Sequence, residues 1–209
     1  IATDGLLTVE GTLALCERTF PEKWVDEEVG KITYFHGEKK IEVGQYGKEI
    51  SAKWTVLAHC SGGFGDDKAE IKFFKPVQDC ELSEVREVLA HELAHANDWV
   101  RDKELSYEQR LDFLTAVSDR LLADDRFKSD YVESISLEDK QAEPYSKAIE
   151  YWAEVYGQFY LNPVEFMSFH PLDFELVRNR IMLSDPDFDI DRMIREQERI
   201  LADADLVLR

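Results

Sequence analysis

The chain has no CxxC pair, little basic charge and no apolar run as long as a membrane helix, and each shortage excludes something. Three cysteines, Cys16, Cys60 and Cys80, are too few and too scattered for a thiolate zinc site. They allow one disulfide, and Cys60–Cys80 is the expected pairing because the two flank a hairpin-like stretch; three reduced thiols is the equal alternative. Apolar segments are broken by charge, as between Ile149 and Leu161, so no membrane span is expected. Basic residues number 25 against 44 acidic ones, a net charge of −19. A nucleic-acid binder needs a basic stripe, and the densest basic cluster here is Lys39-Lys40. Nucleic acid and anionic membrane therefore rank low as partners, while solubility and cationic partners are favoured. Internal repeats and low-complexity segments are also missing.

What remains is a folding composition: 209 residues, 44% hydrophobic and 33% charged, enough for one domain or two small ones. The pattern changes near Leu82. Before it come an amphipathic stretch over residues 6–19 and strand-like segments at Ile32 to Phe35, Lys39 to Val43, Ile50 to Ala58 and Ala69 to Phe74. Residues 53–60 and 69–75 read as a hairpin around the loop Ser61 to Asp67. After it the period is helical. Ser83 is a candidate cap for a helix to Val100, and Ser106 for one to Leu122. Pro144 opens a helix ending near Asn162-Pro163, and Pro171 opens another. Asp189 or Asp191 caps the last, to about Ala204. A sheet followed by helices predicts an α+β fold: a small mixed or antiparallel sheet in 1–82, then a helical part in 83–209, together one domain over 1–209.

His91-Glu92-Leu93-Ala94-His95 carries the chemistry. On a helix, residues four apart leave the same face one turn apart, so both imidazoles can reach one Zn²⁺ at about 2.0–2.1 Å. Glu92 stands beside the first ligand and can hold the attacking water without binding metal, as a general base does. Val85, Leu89, Leu93, Ala96 and Val100 make an opposite stripe that should pack on the sheet. A solvated histidine face is the bland alternative, with Glu84, Glu87 and Asp98 near it. A catalytic zinc also needs a third protein ligand. The helix Ala148 to Gly157 is apolar nearly all round except for Glu150 and Glu154, four apart. Buried carboxylates are costly unless paired or bound to a cation. Glu150 is the expected ligand, and Glu154 could accept the outward N–H of a zinc histidine. An exposed pair, or an ion pair with Lys147, is the alternative.

His91-Glu-Leu-Ala-His95-Ala-Asn-Asp98, followed by Glu150-Tyr-Trp-Ala-Glu154, resembles the gluzincin pattern HExxHxxD…ExxAE. It is similar to the anthrax-lethal-factor-like metallopeptidases, which include compact secreted Pro-Pro endopeptidases, over residues 85–175. The resemblance implies a zincin-like fold, one zinc on His91, His95 and Glu150, and Glu154 and Asp98 behind the ligands. Asp98 reads equally as a cap for its helix. The family carries a transition-state Tyr about seven residues before the ligand Glu. Glu143 occupies that position here, and Tyr145 is the nearest substitute. Ala94 stands where the family often has Gly. A peptide or protein substrate would add alongside an edge strand, with Ala69 to Phe74 as the candidate.

The expected protein is thus a monomeric zinc endopeptidase with Glu92 as base and Tyr145 as oxyanion donor. The alternative is a zinc-binding interaction domain that has lost turnover, and a third reading is a helical structural protein with a fortuitous HExxH. The start at Ile1 reads as a removed signal or pro-segment, or as a trimmed chain. Secretion is the expectation, with the cytoplasm as the alternative. Asp185, Asp187, Asp189, Asp191 and Glu196 space like a calcium loop, but Ile190 stands where the turn needs Gly, so helix-capping aspartates are preferred. His36, His59 and His170 lack ligand spacing. Trp24, Trp54 and Trp99 are expected in the core. Residues 106–142 are expected to be a connector more than a lid.

Overall fold

A computed structural model of the protein describes residues 29–35, 39–43, 52–62, 68–74, 80, 82–102, 105–123, 132 and 146–207. The amphipathic stretch over 6–19, Cys16, Trp24, His36 and Tyr145 lie outside the described residues.

The architecture is α+β. Five strands, β1 (Val29–Phe35), β2 (Lys39–Val43), β3 (Ala52–Val56), β4 (Ala58–Gly62) and β5 (Ala69–Phe74), precede the helices. These are α1 (Leu82–Asp102), α2 (Tyr107–Ala123), α3 (Ser146–Leu161), α4 (Pro163–Phe169), α5 (Pro171–Ser184) and α6 (Ile190–Val207). One mixed sheet has the order β1-β5-β4, with β5 parallel to β1 and antiparallel to β4. A separate ribbon pairs β2 with β3. The stretch expected as one strand over 50–58 is therefore two, because the chain bends at Leu57 and each half pairs with a different partner. Ala69 to Phe74 is corrected as well. It is the central strand, hydrogen-bonded on both sides, so the sheet edge beside the helices is β4.

Burial alternates along β5, with Ala69, Ile71 and Phe73 turned inward. That face, with Ile32 and Ala58, packs with Val85, Leu89 and Leu93 of α1 in one core. Each such side chain, fully buried, is worth about 1.5–3 kcal/mol. Trp99 is not in this core; it lies off the apolar stripe and is 47% exposed. Cys60 and Cys80 are not joined in a disulfide. Cys60 sits mid-strand opposite Ile71 and Cys80 just before α1, so the expected disulfide is not formed.

Helix ends follow local chemistry. Ser106 Oγ accepts from Gln109 N–H at 3.2 Å while Gln109 Oε1 accepts from Ser106 N–H at 2.9 Å, a reciprocal cap. Asp189 Oδ1 accepts from Arg192 N–H at 2.9 Å and caps α6. Glu196 pairs with Arg192 at 3.0 Å, so the acidic run works as a helix start. Pro163 and Pro171 open α4 and α5, where a missing N–H costs nothing. The α2 part of residues 106–142 is a packed helix, burying Leu114, Val117 and Leu121.

Small residues set how closely α1 and α3 approach. Ala90, Ala94 and Ala153 are fully buried, and a Cβ built on Gly157 would lie 3.4 Å from the Ala90 Cβ. That is ordinary contact, so Gly157→Ala should be tolerated and gains helix propensity of up to about 1 kcal/mol. Gly157→Leu should instead force the helices apart and cost about 1–3 kcal/mol. Urea titration of the two variants compares them; equal stability would mean the crossing is looser than it looks.

Candidate metal centre

The antiparallel crossing of α1 and α3 brings three side chains to one point. His91 Nε2 lies 3.0 Å from Glu150 Oε2, His95 Nε2 lies 3.1 Å from His91 Nε2, and His95 Nε2 lies 3.4 Å from Glu150 Oε2. The two rings meet edge to face, with centroids 4.7 Å apart. Among the described residues this is the only His/Cys/Asp/Glu group compact enough to hold a metal ion. Glu150 therefore turns toward the imidazoles, against the alternative of an exposed surface carboxylate.

The spacing fits an ion. Ligands about 2.0–2.1 Å from a tetrahedral centre are about 3.3–3.4 Å apart, against the 3.0–3.4 Å seen here. Protons satisfy the triangle less well. Each neutral imidazole carries a single N–H, so two Nε2 atoms and a carboxylate oxygen in mutual contact crowd lone pairs that a cation would share.

Glu92, one residue on from His91, is buried. Burial pushes its carboxyl above the usual carboxylate range, opposed by the charges of His95 and His91. The Cys60 backbone N–H donates to it. The sheet accounts for that bond. Phe74 N–H donates to the Leu57 carbonyl at 2.9 Å, which sets the phase of the β4–β5 ladder: His59 and Ser61 bond to β5, and the backbone of Ala58, Cys60 and Gly62 faces outward. Glu92 thus hangs from the outer edge of β4. The Cys60 thiol is pushed up to about 12 by burial and by Glu92, so it is no nucleophile at neutral pH.

Asp98, one turn past His95, is buried and its charge acts on His95. Glu154 is half-buried one turn past Glu150. His59 is exposed, and His170 joins α4 to α5, stacked on Phe166 at 5.9 Å. One feature of the α3 surroundings has no signature in the sequence. Asp173, fully buried at the start of α5, takes both Arg120 Nε and the Arg120 NH2 group at 2.9 Å and the Tyr151 hydroxyl at 3.2 Å. Its members lie far apart in the chain, so only the fold unites them. No helix among the described residues is long and apolar enough to cross a membrane. No protein-family model, curated protein or solved structure matches the chain.

The cluster titrates as a unit. Burial pulls His95 down, but the hydrogen bond and charge of Glu150, with Glu92 and Asp98, outweigh it and raise its pKa. Burial pushes Glu150 up, and the two imidazoles outweigh it and hold it far below the usual range. Without metal, the His95 contribution to stability is full below its ordinary 6.5 and fades as pH rises through the raised folded value. The Glu150 contribution is full above its ordinary 4.5 and fades only in strong acid. The pair thus helps the metal-free fold most between 4.5 and 6.5. A metal ion must displace the His95 proton. The rise in melting temperature on adding saturating divalent metal should therefore grow from about pH 6 to about pH 8. Paired thermal scans measure it, and a rise that shrinks over that range would contradict the assignment.

Proposed function

We propose that the protein is a zinc-dependent endopeptidase on a zincin-like scaffold, similar to the anthrax-lethal-factor-like group of gluzincins. The observation that carries this reading is the triangle of His91 Nε2, His95 Nε2 and Glu150 Oε2, with Glu92 buried beside it. Two imidazoles and one carboxylate suit Zn²⁺ and match the donor set of catalytic sites that keep one position open. When bound, the ion supplies Lewis acidity toward the scissile carbonyl and makes water more acidic.

The chain's own residues do the rest. Glu92 accepts the proton of the attacking water and later delivers it to the leaving amine. Burial favours its protonated form, which makes the carboxylate a stronger base than one in water. The Cys60 N–H holds one carboxylate oxygen and so sets the direction from which Glu92 works. The outward backbone of Ala58 and Gly62 on β4 offers an extended peptide the hydrogen bonds of an added strand, next to the base. Tyr145 is the candidate donor to the developing oxyanion.

A zinc-binding domain without turnover is the second reading; the buried, tethered Glu92 favours the enzyme. Metal analysis and a peptide-library digest test both. The expected result is one zinc per chain and cleavage that a chelator stops and zinc restores. Zinc with no cleavage supports the binding domain, and absence of metal removes both readings.

A further inference from the structure

The helix that carries Glu150 has a problem of orientation. Tyr151, Trp152, Ala153, Val155, Tyr156, Phe159, Tyr160 and Leu161 of α3 are all buried. Burial of apolar surface is not directional; the close approach of Gly157 to Ala90 turns the Glu150 face toward α1, but a helix covered on nearly every side has its rotation set only coarsely by apolar contact. Rotation matters for a ligand. A carboxylate about 6 Å from the helix axis moves about 1 Å when the helix turns by about 10°. Ligand distances tolerate only about 0.2 Å.

Tyr151 follows Glu150 and leaves the helix about 100° away from it. Its hydroxyl donates to Asp173 Oδ1 at 3.2 Å. Asp173 is itself pinned by the two Arg120 contacts at 2.9 Å and is fully buried. Hydrogen bonds are directional, and a planar guanidinium clamped on a carboxylate is among the least adjustable of them. The tether therefore reaches α3 from α2 and α5, about 100° around the helix from Glu150.

We propose that the Arg120–Asp173–Tyr151 tether sets the rotation of α3 and thereby holds Glu150 at its place in the metal triangle. Tyr151, Asp173 and Arg120 are positioning residues, which act on Glu150 through the helix that carries it. The proposal rests on the metal reading of His91, His95 and Glu150. It predicts that the tether is felt in metal affinity, beyond whatever it adds to folding.

The experiment measures zinc affinity by competition with a chromophoric chelator, and the unfolding of the metal-free protein, for the parent, His91→Ala, Tyr151→Phe, Arg120→Ala and Arg120→Lys. Tyr151→Phe keeps the ring and removes only the hydroxyl. It should weaken zinc binding by about 10- to 100-fold, the range seen when a ligand loses its supporting partner. Arg120→Ala should weaken it similarly, and Arg120→Lys, which keeps the charge but not the fork, by less. Unchanged affinity in Tyr151→Phe and Arg120→Ala, with lower metal-free stability, would overturn the proposal and leave the tether a fold-stabilising contact only. Should Tyr151→Phe fail to fold, the Arg120 pair decides alone, since that side chain sits at the partly exposed end of the tether. A parent that binds no more zinc than His91→Ala would defeat the metal reading itself, and this one with it.

Discussion

A Glu92→Gln variant should, under the proposed zinc-peptidase reading, keep its zinc and lose peptide hydrolysis by about 10²–10⁴-fold, the usual worth of a positioned general base. The two effects separate because the roles do. The metal triangle is made by His91, His95 and Glu150, and Glu92 is not a corner of it. The amide retains an oxygen that can accept from the Cys60 N–H, so the side chain should keep its place on the edge of β4. What it cannot do is take a proton. Stability should hold or rise, because a buried carboxylate whose charge is opposed by burial gives way to a neutral group. Metal content, thermal unfolding and peptide turnover on one preparation check all three. Turnover equal to the parent's would exclude Glu92 as the base.

Asp173→Ala should cost about 3–5 kcal/mol of folding stability, the range for breaking one side of a buried ion pair. The carboxylate is fully buried and takes hydrogen bonds from α2 and α3 at the first turn of α5. Its removal takes this acceptor from the buried Tyr151 hydroxyl and this partner from the Arg120 charge, penalties that exceed the net value of the bonds themselves. Total stabilities of domains are about 5–15 kcal/mol, so the variant should be marginal at best. Asp173→Asn, which keeps an acceptor, should cost less. Urea unfolding gives the numbers. A loss below about 1 kcal/mol would mean that Arg120, whose side chain is 20% exposed, simply turns to water.

The histidine pair, with Glu92 beside it, was legible because its geometry is local. Four residues on a helix fix two imidazoles one turn apart whatever the rest of the chain does. Glu150 was legible through burial: a carboxylate in an otherwise apolar helix demands a cation, and the helix is in fact buried on most faces. Strand positions were read well, and so was the antiparallel pairing that β4 makes with β5, but the split of the 50–58 stretch and the place of β5 in the sheet were not. The bend at Leu57, which sends β3 to β2 and β4 to β5, has no strong turn signal, and so the central strand was taken for the edge. Trp99 was taken for core because aromatics often are, yet it stands beside the apolar stripe of α1 rather than on it.

By itself the sequence determined that the second half would be helical, that helices would start at Ser106, Pro171 and Asp189, and which residues could bind a cation, since caps and periodicity act over a single turn; the short helix α4 after Pro163 was not foreseen, and Ser83 lies inside α1 rather than capping it. The tertiary structure alone decided that α1 and α3 approach through Ala90 and Gly157, that Glu92 meets the outward amide of Cys60, and that Asp173 joins three helices. Those contacts link residues far apart in the chain, and their partners are chosen by packing the whole core, which no local pattern encodes.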